Sequence, residues 1–97
     1  MKERRGRWRV EMLPSARREL LVLRNPIQDR VRAAIRALAD DPTPPDSIAM
    51  RGKGAGLHRL RVGMYRVVYR VQSHRVSVLV IRIGHRSEVY RGYEELS

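Results

Sequence analysis

Cysteine is absent from this chain of 97 residues. Without cysteine the chain cannot form disulfides, a thiolate zinc site or a thiol nucleophile. No apolar run approaches the length of about 18 residues that a membrane-spanning helix needs. The basic start of the chain, residues 1–8, lacks the apolar segment of a signal peptide. These absences predict a cytoplasmic protein with no membrane partner.

Acidic residues are scarce in the second half of the chain. Residues 51–91 contain ten arginines and lysines against a single acid, Glu88, and therefore carry a charge of +9. The first fifty residues carry +4 and the last six carry −2, so the whole chain carries +11. Such concentration predicts a polyanionic partner, nucleic acid first, because a surface charged only for solubility would mix both signs.

Length and composition fit one domain over residues 1–97, because apolar residues make up 42% of the chain, close to the globular average. Trp8, Val10 and Met12 alternate with polar residues, which predicts a first strand with these three side chains in the core. Pro14 ends that strand.

Two helices are predicted next, joined so closely that they form a hairpin. Ser15 is placed to cap the first helix, and Asn25 to cap the second, with Pro26 at its first position. Prolines from Pro42 onward prevent the second helix from continuing. The apolar faces are Ala16, Leu20 and Leu23 in the first helix and Ile27, Val31, Ile35 and Leu38 in the second.

The second half of the chain predicts antiparallel strands. Gly63-Met64 fits a two-residue type II′ turn, and Ser73-His74 is a weaker turn signal. The predicted fold is α+β in the order β-α-α-β-β-β, with the helical hairpin covering one face of the sheet and the other face open. β-branched and aromatic residues mark the three strands, 57–62, 65–72 and 76–83.

The Gly63-Met64 turn fixes the pairing of the two strands that it joins. Arg61 then lies opposite Arg66, although like charges placed opposite each other destabilise a sheet. A bound anion would offset this repulsion, and the planar guanidinium binds phosphate through two hydrogen bonds. The alternative is that the arginines extend into water without a ligand. The arginines that share this face are Arg59, Arg61, Arg66 and Arg70.

Strict alternation after a Ser73-His74 turn extends the pattern to the last strand. It places Arg82 on the helix-covered face and Ile83 on the arginine face. The isolated histidines His58 and His74 are predicted to lie at the surface.

Two segments of this sequence resemble the RelE/ParE family of toxins. They are residues 57–69, LHRLRVGMYRVVY, and residues 80–91, VIRIGHRSEVYR. The order of strands and helices also agrees, so the resemblance covers nearly the whole chain. It implies the toxin of a type II toxin–antitoxin pair, with a RelE-like fold.

The RelE branch of the family implies a specific activity. There the toxin enters the ribosomal A site and the ribose 2′-hydroxyl of the messenger attacks the adjacent phosphate, without a metal or other cofactor. The partners implied are the mRNA, the rRNA and a short acidic antitoxin that forms a complex with the toxin. The ParE branch implies a different target, DNA gyrase, without catalysis. A non-catalytic RNA-binding protein is a third hypothesis.

The resemblance also implies which residues act. Arginine stays protonated and is a poor general base, so proton transfer is left to His85 or Tyr90. Each has a simpler alternative, a turn histidine and a half-buried anchor. The predicted catalytic residues are Arg61, Arg66, His85, Arg86 and Tyr90. The residues predicted to contact RNA are Arg51, Lys53, Arg59, Arg70 and Arg91.

Overall fold

The computed structural model describes residues 7–91, so both ends of the predicted domain lie outside the described range. No helix in that range is long and apolar enough to cross a bilayer. Short 3-10 turns precede two of the strands. The elements in chain order are β1 (Arg9–Met12), α1 (Pro14–Leu21), α2 (Ile27–Ala37), β2 (Ser47–Ala49), β3 (Leu57–Val62), β4 (Tyr65–Gln72) and β5 (Ser77–His85).

The strands form one five-stranded sheet in the order β1-β5-β4-β3-β2. β1 runs parallel to β5, and the other neighbours are antiparallel. The predicted α+β fold is confirmed, with two additions. The sheet is mixed because the helical hairpin carries the chain from β1 across to the far edge, and β2 is an edge strand that the sequence pattern did not indicate.

The helical hairpin packs on one face of the sheet and encloses the main core, as predicted. Trp8, just before β1, and Val10 and Met12 within β1 pack against this core, as predicted. Tyr69 is completely buried there, and its hydroxyl donates a hydrogen bond to the Pro42 carbonyl at 2.7 Å. The buried members of the core are Ala16, Leu20, Val31, Ile35, Leu38, Leu60, Val67, Tyr69, Val78, Val80 and Ile83.

Both helices begin without the predicted side-chain caps. α1 starts at Pro14, so Ser15 is already inside the helix and caps nothing. α2 starts after Pro26, which occupies the cap position, and Asn25 makes no cap bond. Proline has a fixed φ suited to a helix start and lacks the N–H that a cap would satisfy.

The pairing of β3 with β4 is confirmed residue by residue. Gly63 adopts a φ of +59°, in the left-handed region that favours glycine in a tight turn. Arg61 lies opposite Arg66, and Leu60 lies opposite Val67. The turn and the buried apolar residues therefore select the same register.

The second turn is longer than predicted. Ser73–Arg75 forms a 3-10 turn and Val76 follows with a φ of 51°, so that Gln72 pairs with Ser77. A valine in the left-handed region has no local sequence signal, because β-branched residues disfavour it.

A β-bulge in β5 reverses the predicted faces of two residues. Tyr69 pairs with Val80, but Val68 pairs with Arg82, which leaves Ile81 as the extra residue. Ile83 is therefore buried in the main core, at 3% exposure, and Arg82 lies on the arginine face.

The face predicted to be open is partly covered by the segment that follows β5. Val89 in this segment is 2% exposed and packs with Leu57 and Val68. The segment lies close to the strand, since a Cβ on Gly84 would lie 3.5 Å from the Val89 Cβ. A second, smaller core therefore adjoins the arginines.

The prediction that His58 is a surface residue is wrong. Its ring is half-buried and stacks on the Tyr69 ring, with centroids 5.5 Å apart. Burial lowers the pKa of His58 from its ordinary value of 6.5. The cause lies in the register, because His58 pairs with Tyr69 on the helix-covered face. His74 is exposed, as predicted.

Candidate nucleic-acid interface

A groove of about 310 Å³ lies on the sheet face opposite the helices. We call it the arginine groove, because four of its lining residues are arginines and one is an acid. Residues from β2, β3, β4, the segment before β2 and the segment after β5 meet here. The lining residues are Pro45, Asp46, Ile48, Arg59, Arg61, Arg66, Arg86 and Tyr90.

Arg61 and Arg66 face each other across β3 and β4 at the centre of the groove. Arg66 Nη1 donates hydrogen bonds to the carbonyls of Gly63 and Tyr65, each at 2.9 Å. These bonds hold one edge of the guanidinium against the turn. A guanidinium has five N–H donors, so Arg66 keeps others for a ligand.

Arg86 enters the groove from the segment after β5. Its backbone N–H donates to the Met64 carbonyl at 2.8 Å, which fixes the segment to the turn between β3 and β4. The Arg86 side chain is exposed and lines the groove together with Arg61 and Arg66. Three guanidinium groups from three different segments therefore meet at one surface.

Tyr90 and Arg59 also line the groove and contact each other. The guanidinium carbon of Arg59 lies 5.7 Å from the centroid of the Tyr90 ring, in the range of a cation–π contact. The Tyr90 hydroxyl is buried and has no hydrogen-bond partner within residues 7–91. A buried hydroxyl without a partner is unfavourable, so a ligand that hydrogen bonds to it would gain binding free energy.

His85 does not lie in the arginine groove. It pairs with Tyr65 on the helix-covered side of the sheet, where the two rings meet edge to face with centroids 5.5 Å apart. Its Nδ1 accepts the Ser87 backbone N–H at 3.1 Å and lies 2.8 Å from Ser87 Oγ. The structure therefore brings together four of the five predicted catalytic residues and separates the fifth.

Of the five residues predicted to contact RNA, Arg59 lines the groove and the other four do not. Arg51 and Lys53 are exposed on the loop before β3, and Arg70 is exposed further along β4. Arg91 lines a different depression. The exposed arginines extend the cationic surface beyond the groove.

Sequence reasoning missed the wall formed by Pro45, Asp46 and Ile48. Asp46 lies across from Arg61, because the Arg61 N–H donates to the Asp46 carbonyl at 3.0 Å. Ile48, at 55% exposure, adds an apolar side chain beside Arg59. A three-residue strand between prolines and glycines carries almost no periodic signal, so only its pairing with β3 reveals it.

The arrangement suits a ribose-phosphate ligand. Arg61, Arg66 and Arg86 can share the charge of a phosphate, and Tyr90 supplies an aromatic ring in the same groove. Its buried hydroxyl becomes available to a ligand when the Tyr90 side chain or its neighbours shift. Within residues 7–91 no three His, Asp or Glu side chains are grouped in a way that could hold a metal ion.

The fold and the groove together define the class of protein. The family model described as "ParE toxin of type II toxin-antitoxin system, parDE" matches residues 10–90. The chain therefore belongs to the RelE/ParE family of toxins from type II toxin–antitoxin systems.

Individual relatives point to the RelE side of this family. The chain is 30% identical over 86 residues to Toxin RelG of Mycobacterium tuberculosis, covering 84% of this chain and 94% of RelG. It is similar to a chain in the toxin–antitoxin complex RelBE2 from the same organism, with a TM-score of 0.74, 29% identity and coverage of 81% and 98%. A chain of the archaeal RelE–RelB complex from Pyrococcus horikoshii OT3 gives a TM-score of 0.74, 25% identity and coverage of 86% and 99%.

Proposed function

We propose that this toxin is a ribosome-dependent endoribonuclease that cuts mRNA in the A site. One observation carries the proposal: Arg61, Arg66, Arg86 and Tyr90, which lie far apart in the sequence or on different strands, line one groove. Like charges facing each other across a sheet oppose folding, and a polyanionic ligand between Arg61 and Arg66 would offset that repulsion. The resemblance to RelG supports the RelE branch.

The proposed reaction is an intramolecular transesterification. The 2′-oxygen bonds to phosphorus, the bond from phosphorus to the 5′-oxygen breaks, and a 2′,3′-cyclic phosphate and a 5′-hydroxyl end form. Arg61, Arg66 and Arg86 stabilise the charge that develops on the phosphate oxygens. They also hold the phosphate in line with its attacker.

Proton transfer falls to Tyr90 among the residues predicted to be catalytic. Arginine cannot accept the proton because its guanidinium is already protonated, and His85 lies on the other side of the sheet. The Tyr90 hydroxyl accepts the proton of the 2′-hydroxyl as it gives up its own proton to a water molecule, and the leaving 5′-oxygen takes a proton from water, so the number of protons is unchanged. His85 keeps the simpler role of a residue that shapes the turn through Ser87.

The same reasoning gives the partners and the location. A charge of +11 favours rRNA around the A site as well as the messenger. Relatives of this chain crystallised in toxin–antitoxin complexes, and an acidic antitoxin would complement the arginine groove. We therefore place the protein in the cytoplasm, bound either to the ribosome or to its antitoxin.

The test is in vitro translation followed by mapping of the mRNA 5′ ends. The wild-type protein should cut inside the A-site codon, and Arg61→Ala and Tyr90→Phe should each lower the single-turnover rate by 100-fold or more, on the order of an oxyanion-donor deletion. Arg30→Ala removes an equal charge from an exposed position on α2 and should leave the rate within about twofold. Cleavage by both groove variants at the wild-type rate would rule out this site.

Inhibition of DNA gyrase is the second candidate, because the matching family model is that of a ParE toxin. An inhibitor that only binds protein has no need for opposed arginines in a groove, which favours the nuclease. A gyrase supercoiling assay distinguishes the two. Inhibition of supercoiling together with intact mRNA would support the ParE function and contradict the nuclease.

A further inference from the structure

Arg82 is a basic residue on the groove side of the sheet with no role in the reaction described above. The bulge at Ile81 turns it onto this face, in a row across the sheet with Val68 and Arg59. Without the bulge, Arg82 would point into the core beneath the helices. The bulge therefore places the Arg82 guanidinium beside the segment that carries Tyr90.

The contacts of Arg82 are directed at that segment. Its Nη1 donates to the Arg91 carbonyl at 2.7 Å and to the Val89 carbonyl at 3.1 Å. These two carbonyls lie on either side of Tyr90. Hydrogen bonds from a charged donor are about twice as strong as neutral ones, so one side chain fixes the backbone before and after the tyrosine.

The other backbone hydrogen bonds of the segment lie mainly at its beginning, while Val89 packs against Leu57 and Val68. The Arg86 N–H binds the turn between β3 and β4, and the Val89 N–H donates to the carbonyl of His85 at the end of β5. Beyond Val89, within residues 7–91, the one other backbone bond is local, from the Arg91 N–H to the Glu88 carbonyl at 3.1 Å. Arg82 thus adds hydrogen bonds from the sheet to the backbone at the end of the segment, besides the packing of Val89 and the contact of Arg59 with the Tyr90 ring.

We infer that Arg82 is a positioning residue that holds Tyr90 in the arginine groove. Arg59 contacts the Tyr90 ring from β3, and Arg82 holds its backbone from β5. Without Arg82 the groove keeps all of its lining side chains, but Tyr90 samples positions away from the phosphate. The inference rests on the proposed nuclease function only for its effect on activity.

Amide hydrogen exchange tests the positioning directly. Arg82→Met keeps the aliphatic stem but removes the donors, and we expect the amides of Val89 and Arg91 to exchange about tenfold faster or more. Amides of β4 should keep their protection. Arg75→Ala, which removes an exposed arginine from the turn before β5, should change neither group. Unchanged exchange at Val89 and Arg91, or an equal loss of protection throughout β4, would overturn the inference.

Activity gives an independent test through a double-mutant cycle with Tyr90→Phe. If Arg82 acts through Tyr90, Arg82→Met lowers kcat in the otherwise wild-type protein with little change in KM. In a protein that already carries Tyr90→Phe, the same substitution should cause almost no further loss of kcat. Losses that multiply in the double variant would contradict a positioning role. If the wild-type protein cuts no RNA, the nuclease proposal fails, while the exchange experiment still decides the role of Arg82.

Discussion

Replacing Arg61 with glutamine should make the toxin more stable and less active. Arg61 lies directly opposite Arg66, and cross-strand charge pairs change stability by about 0.2–1 kcal/mol. Arg61 is exposed, so solvent screens part of the repulsion and we expect a gain of about 0.5 kcal/mol. For a domain of this size that gain corresponds to an increase in Tm of about 2–4 °C.

Thermal unfolding in buffers of different ionic strength measures this effect. The gain from Arg61→Gln should be largest at low salt and shrink toward zero in 1 M NaCl, where the Debye length is about 3 Å. Arg30→Gln on α2 controls for the lower net charge, since Arg30 faces no arginine across a strand. Added phosphate should raise the Tm of the wild type more than that of Arg61→Gln, because a ligand that binds only the folded groove stabilises it.

Two results would refute the reasoning. One is a loss of stability in Arg61→Gln at low salt, which would show that the opposed arginines do not repel each other. The other is an equal response of both proteins to phosphate, which would show that Arg61 does not contribute to an anion site.

Three further predictions concern groups that support the site. Tyr69→Phe removes the bond to the Pro42 carbonyl and should cost about 0.5–1.5 kcal/mol in the free energy of unfolding by urea. Glu19→Ala leaves the Ile83 N–H, now bound at 2.8 Å, without its acceptor and should cost about 1–3 kcal/mol in the same assay. Burial lowers the pKa of His58, so as the pH falls below 6.5 this histidine is protonated more readily in the unfolded state than in the folded state, which favours unfolding. The Tm should therefore drop between pH 7 and pH 5, less so in His58→Phe; equal drops in both proteins would contradict this.

The centre of the site could be predicted from the sequence, because a tight turn and an apolar alternation act on it together. Gly63 favours a short hairpin, and burying Leu60 and Val67 on one face forces Arg61 and Arg66 together on the other. A slip of one residue would bury both arginines, which is far more costly than their mutual repulsion. Local and tertiary preferences agree here, so the sequence pattern suffices.

The last strand could not be predicted in the same way, because its register depends on distant contacts. The bulge at Ile81 lets Ile83 reach the core, while Glu19 on α1 accepts the Ile83 N–H. The alternation of apolar and polar residues in the sequence reveals neither the bulge nor the contact with Glu19. The bulge shifts the register of the residues after it by one, and this shift places His85 on the helix-covered side of the sheet. The family resemblance implied a catalytic role for His85, but its pairing with Tyr65 places it on the face opposite the groove.

The most direct test of the account is cleavage of an mRNA that carries a 2′-deoxynucleotide at the attacking position of the A-site codon. Ribosomes programmed with the all-ribose message and treated with the wild-type toxin should yield a 2′,3′-cyclic phosphate and a 5′-hydroxyl end, and the deoxy message should remain intact. Tyr90→Phe and Arg61→Ala should leave both messages uncut over the same time. Cleavage of the deoxy message by the wild-type protein, or no cleavage of either message, would contradict the account.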